Sequence, residues 1–218
     1  MPDDAAGREE NARPAHDCAA GVGRMDATAA VAHLHEAVGI ASSALDSCVD
    51  DDWTRTVVGL DWTVEHAVYH AAGALYRYAV RLALQSQSQP LPFSLGVEEG
   101  AGNRGLVDLM RAGGVLLGAV VATASPDVRA FHNYGISDPI GFAAMGVVES
   151  LVHSRDVALT FGHSFELPAA PAAFAIARLF PDAPYGEAAD VLLWCTGREP
   201  LGDRPRQDDW QWDSTVRP

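Results

Sequence analysis

Apolar residues recur at intervals of three and four through most of the chain. Ala27, Ala30, Val31, Leu34, Val38, Ala41 and Leu45 predict a first helix from Asp26 to about Cys48. Val64, Ala67, Val68, Ala71, Leu75, Tyr78 and Leu82 predict a second from about Thr63 to about Leu84, with Asp61 or Thr63 placed to cap its free N–H groups. Leu106, Leu109, Met110, Gly113, Leu116, Leu117, Val120 and Val121 mark a third, which ends near Ala124 before Ser125-Pro126. A fourth starts at Asp138-Pro139, since proline is tolerated at the first helical position, and runs to about Phe161 before Gly162. Pro168 to Leu179 and Gly186 to Thr196 are two shorter helical candidates.

The segments between these helices lack periodicity. Gln85 to Gly102, rich in Gln, Ser, Pro and Gly, is expected to be a long crossover loop, and an irregular piece with His132, Asn133 and Tyr134 precedes the fourth helix. No stretch shows strand alternation, so the expected fold is all-α: a four-helix bundle with a long crossover and two short C-terminal helices. Residues 1–24 read as a disordered tail, 25–200 as the bundle domain, and 201–218 as a tail whose Trp210 and Trp212 fold back onto the bundle.

The 218 residues suffice for one sizeable core, and 48% hydrophobic residues are those of a globular chain. A formal charge of -14 argues against nucleic acid or an anionic membrane as partner, because either would be repelled at long range. Cys18, Cys48 and Cys195 have neither CxxC nor metal-type spacing and fit a reducing compartment. The N-terminus has no apolar run of a signal peptide, and the longest uncharged apolar stretch, Ala112 to Ala124, is short of the ~20 residues that span a bilayer. These features predict a cytoplasmic protein.

The candidate chemistry lies in GFAAMGVVESLVHSRDVALTFG, Gly141 to Gly162, which sets Glu149 and His153 in the middle of an apolar helix. Four residues make a little over one turn, so carboxylate and imidazole leave the same face and can close on one atom. An uncompensated carboxylate among Val147, Val148, Leu151 and Val152 would be costly, and a divalent metal removes that cost if another helix brings a further ligand. His70 on the second helix is that candidate. Three protein ligands would leave a position for water or substrate, as in catalytic zinc sites.

Three segments resemble the DinB-like metal-binding family, in particular the branch of the mycothiol-dependent maleylpyruvate isomerase N-terminal domain. They are Asp61-Trp62-Thr63-Val64 followed by His70, then Glu149 to Gly162 with its Glu-x3-His-x2-Asp pattern, and Asp190 to Pro200 with Gly197-Arg198-Glu-Pro. The resemblance implies an up-down-down-up bundle, metal ligation by His70, Glu149 and His153, and chemistry with a low-molecular-weight thiol of the mycothiol type. A coordinated thiol is deprotonated near neutrality and the thiolate is the nucleophile, so no protein cysteine is needed.

Other residues have positions from which they could serve such a site. His66, one turn before His70, is either a fourth ligand that would close the site or a pocket residue. Asp156, three residues after His153, can orient an imidazole or pair with an arginine. Arg77 continues the His66–His70 face and can meet a carboxylate or remain in solvent, while His132 and Tyr134 either line the mouth of the site or form a plain loop. The expected function is a metal-dependent transferase or isomerase, with zinc as the ion, the thiol as co-substrate and a small electrophilic metabolite as substrate. A non-catalytic small-molecule or metal-binding module and a metal-assisted hydrolase are the alternatives. Pairing with a second copy as a homodimer stays open.

Overall fold

The computed structural model describes residues 26–88, 91 and 94–217; the expected N-terminal tail lies outside the described residues. The elements are α1 (Ala27–Ser47), α2 (Val64–Leu84), α3 (Gly102–Thr123), β1 (Ala130–His132), β2 (Gly135–Ser137), α4 (Pro139–Thr160), α5 (Ala169–Leu179) and α6 (Ala188–Cys195). Capping sets several of these ends. Asp26 accepts from the Ala29 N–H at 2.7 Å, Thr63 from the His66 N–H at 3.2 Å, and Asp138 from the Gly141 N–H at 2.7 Å. Helix α3 starts earlier than its apolar stripe, at Gly102, without a side-chain cap.

Helices α1 and α2 both pack on α3 and α4, so they stand at opposite corners of a four-helix bundle. The directions follow from which residues meet. Val38 and His35 of α1 face Gly114 and Gly118 of α3, so these two helices are antiparallel. Leu75 of α2 faces Gly113, while His66 and Tyr69 share a cleft with Leu106, so α2 and α3 are parallel. On α4, Gly146 meets Leu75 and Leu117, His153 meets His70, and Ser150 meets Met110, which makes α4 antiparallel to both. The order is therefore up-down-down-up.

Helix α4 is the axis of the molecule. It is buried on nearly every side, under α1, α2, α3 and α5, and an all-round apolar sequence is what such a position needs. At Gly146 three helices close on α4: a Cβ there would stand 2.8 Å from a Leu34 methyl and 2.9 Å from a Leu117 methyl, so a larger residue would have to displace both side chains.

One expectation needs correction and one an addition. The irregular piece before α4 is an antiparallel hairpin, Ala130 pairing with Ser137 and His132 with Gly135. Strands of three residues are too short to display an alternation, and their burial is set by contact with α2 and the C-terminal segment. The uncharged stretch Ala112 to Ala124 lies within a longer apolar helix. Helix α3, at 22 residues, is long and apolar enough to cross a membrane by length and composition, its charges Arg104, Asp108 and Arg111 all lying in the first half. In this structure it packs as a bundle helix through Leu106, Met110, Leu117 and Val121.

Candidate metal centre

His70 comes from α2, and Glu149 and His153 lie one turn apart on α4. Both Nε2 atoms point at the same carboxylate oxygen, Glu149 Oε2, each at 3.4 Å. The three donor atoms lie within 4.8 Å of one another, and theirs is the one group of three or more such side chains arranged for an ion among the described residues. Ligands bound at about 2.0–2.1 Å around a tetrahedral ion stand roughly 3.3–3.4 Å apart. The imidazole–carboxylate separations match that edge, and at 3.4 Å neither ring closes a well-aligned hydrogen bond to the acid. Two nitrogens and one oxygen form a donor set suited to zinc. The residues present therefore fit a divalent ion.

Glu149 is 6% exposed, so its charge requires partners. The Tyr78 hydroxyl donates to Oε1 at 2.9 Å, which leaves Oε2 for the histidines. Burial alone would raise the carboxyl pKa; contact with His153 and His70 and their charge outweigh it and hold the group well below the usual carboxylate range. Tyr78 is pushed the other way, first by burial and then by the adjacent acid, so it remains a proton donor.

The triad forms part of the wall of a cavity of about 450 Å³. Trp62 flanks the imidazoles, its ring 4.9 Å from that of His70 and 5.8 Å from that of His153. The hairpin contributes His132 and Tyr134, and the C-terminal segment contributes Arg198, Trp210 and Trp212. Trp212 is 6% exposed and stacks obliquely on His132 at 5.7 Å. Arg178 ties these pieces together. It is buried and donates to Ser137, Asp138 and the Ser214 and Thr215 carbonyls, which pins the C-terminal segment to the start of α4.

The remaining candidates divide. Arg77, His132 and Tyr134 do line the cavity, and Arg77 turns back to donate to the His70 carbonyl at 3.2 Å. Asp156 is buried rather than a surface acid: Arg198 donates to both of its oxygens, and Oδ2 stands 3.7 Å from His153 Nδ1, which has no hydrogen-bond partner of its own. His66 is exposed. Its ring lies 4.9 Å from that of Trp62, and it lines a separate cleft with Thr63, Tyr69 and Val97 rather than the cavity of the triad.

No family model and no curated protein matches the chain in sequence. Among solved structures it is similar to a histidine-to-alanine mutant of the mycothiol-dependent maleylpyruvate isomerase, with a TM-score of 0.60 and 12% identity over 80% of this chain and 90% of that one. The fold is the all-α DinB-like bundle. In sequence Tyr78 is one residue of the core stripe of the second helix, and Trp62 and Arg198 belong to the segments that carry the resemblance, with no role assigned. Tyr78 lies eight residues after His70, a little over two turns on the same face, and that register was the signal for it.

Proposed function

We propose that His70, Glu149 and His153 hold a divalent ion, with zinc preferred, and that the protein is an enzyme that uses a low-molecular-weight thiol of the mycothiol type. The reaction is transfer of sulfur to a small electrophilic metabolite, or isomerisation of it. The observation that carries this reading is the convergence of three donor atoms on one point in the wall of an open cavity. A bound ion of this kind ionises a coordinated thiol near neutral pH and so supplies nucleophilic sulfur. The chain's own part is to position the reactants. Tyr78 and the two imidazoles fix the Glu149 carboxylate, Trp62 walls the site, and Trp210 and Trp212 limit the water that reaches it. The only described cysteines, Cys48 and Cys195, are buried with thiol pKa values pushed up to about 11, chiefly by burial, so neither is a nucleophile near neutrality. The thiol itself is supported by the likeness in fold to an isomerase named for its dependence on mycothiol.

The test has two parts. Elemental analysis of purified protein should find one divalent ion per chain, lost in His70→Ala, Glu149→Gln and His153→Ala. Stoichiometric metal in any of these variants would show the site to be misassigned. Metal-loaded protein is then incubated with mycothiol and a panel of small electrophiles. Adduct or isomer should form only with intact triad and thiol together, whereas ligand-induced thermal stabilisation without chemical change would mark a binding module.

A further inference from the structure

The charge of the cavity is opposite to that of the chain. Acidic residues outnumber Lys and Arg by 29 to 15 overall, yet the cavity is lined by Arg77, Arg81 and Arg198 against a single carboxylate, Glu149. Arg198 is neutralised by Asp156. Arg77 and Arg81 stand one turn apart on α2, and among the described residues neither has a carboxylate within ion-pair distance. Their hydrogen bonds go to backbone carbonyls, of His70 and Phe131 respectively. Arg81 Nε is buried without a partner, and desolvation lowers the pKa of that guanidinium. A Cβ at Gly73 would fall 2.7 Å from Arg77 Nη1, so glycine is what lets that side chain lie back along the helix. Half-buried cations without counterions are an arrangement that a bound anion relieves.

His132 adds a neutral donor beside them. Its Nδ1 receives the backbone N–H of Tyr134 at 3.2 Å and lies 3.0 Å from the Ser214 hydroxyl. A backbone N–H only donates, so Nδ1 is an acceptor and the ring proton sits on Nε2. Among the described residues Nε2 has no hydrogen-bond partner, it is not sealed in the core, and the residue lines the cavity. Burial and then the nearby Arg81 hold the imidazole neutral, with its pKa lowered to about 4.

We propose that Arg77, Arg81 and the Nε2–H of His132 form an anion-binding pole in the metal cavity, which takes a carboxylate carried by the electrophile. This rests on the reading of the cavity as the active site and narrows its substrates to small carboxylic acids. The thiol end of the reaction is at the triad; the pole holds the other reactant by charge-assisted hydrogen bonds and admits anions in preference to neutral analogues.

The test is a calorimetric titration of the full-length protein with malonate and with its neutral counterpart malonamide. Malonate should bind at least roughly tenfold more tightly, and Arg77→Gln and Arg81→Gln should each remove about that factor. Arg104→Gln, exposed on α3, should remove none of it. Because carboxylates also ligate metals, the titration is repeated on His70→Ala, where malonate selectivity should persist; selectivity that vanishes there belongs to the ion and overturns the pole. Equal binding of malonate and malonamide, or binding indifferent to both arginine substitutions, also overturns it. Nitrogen-edited NMR of the imidazoles gives a check that needs no variant: a His132 proton found on Nδ1 removes that residue from the pole. Loss of the metal assignment with retained malonate selectivity would sink the proposed function and leave the anion site standing.

Discussion

The two helices that supply the triad hold their ligands in opposite ways. Helix α4 is enclosed on nearly all sides, and its Glu149 and His153 side chains are 8% and 12% exposed, whereas His70 on α2 keeps 35% of its side chain open. The buried pair is placed by core packing, and Glu149 is further bonded to Tyr78. His70 is placed by the capped start of α2 and by Trp62 at the cavity rim. The proposed metal binding would need both helices, but folding should depend mostly on the enclosed one.

That contrast can be broken by substitution. The largest effect is expected for Glu149→Ala, which abolishes metal binding and lowers stability by about 2–4 kcal/mol, because it opens a core cavity and leaves the Tyr78 hydroxyl without its acceptor. Urea unfolding in chelator, with elemental analysis, measures both. Next comes Asp156→Asn, which weakens the buried pair with Arg198 and the carboxylate beside His153 Nδ1; metal affinity should fall by roughly 10–100-fold without loss of the ligands themselves. Competition with a chromophoric chelator reads that change.

The third prediction concerns pH. His132 titrates at about 4 in the folded protein against 6.5 unfolded, so between those values the unfolded chain binds more protons. The stability contributed by the neutral ring is complete above pH 6.5, declines as the pH falls, and levels off below about 4; the loss is on the order of 1–3 kcal/mol. Unfolding of chelated wild type and His132→Asn should show the loss between pH 6.5 and about 5 only in wild type, since Glu149, whose carboxyl is 4.5 in the free state, adds a decline common to both proteins at lower pH. The smallest effect is His70→Ala, which removes the metal yet changes the stability of the chelated protein by less than about 1 kcal/mol. If His70→Ala destabilises the apo protein as much as Glu149→Ala does, the distinction between the two helices fails.

The elements legible in advance share one property: their signals are local. The apolar periodicity, Asp138-Pro139 and the i, i+4 spacing of Glu149 and His153 each lie within one helix, where turn geometry alone relates the residues. His70 was read as the further ligand that a second helix could bring, and the resemblance carried the same residue. Tyr78 looked like any core aromatic, because its partner is 71 residues away. The hairpin was missed because strands this short carry no period, and Arg178, which holds the C-terminal segment against it, gives no sign in sequence that it is buried.

The sequence by itself therefore determined the helices, the starts of α2 and α4 and the shared face of Glu149 and His153, since these follow from the pitch of the backbone and the residues that end it. Only the tertiary structure decided that His70 Nε2 meets Glu149 Oε2, that Asp156 is buried with Arg198, that His66 points away from the cavity, and that Arg77 and Arg81 stand in it with no counterion among the described residues. Those relations depend on how separate helices and the C-terminal segment settle against one another, and close packing across the bundle fixes them, not spacing along the chain.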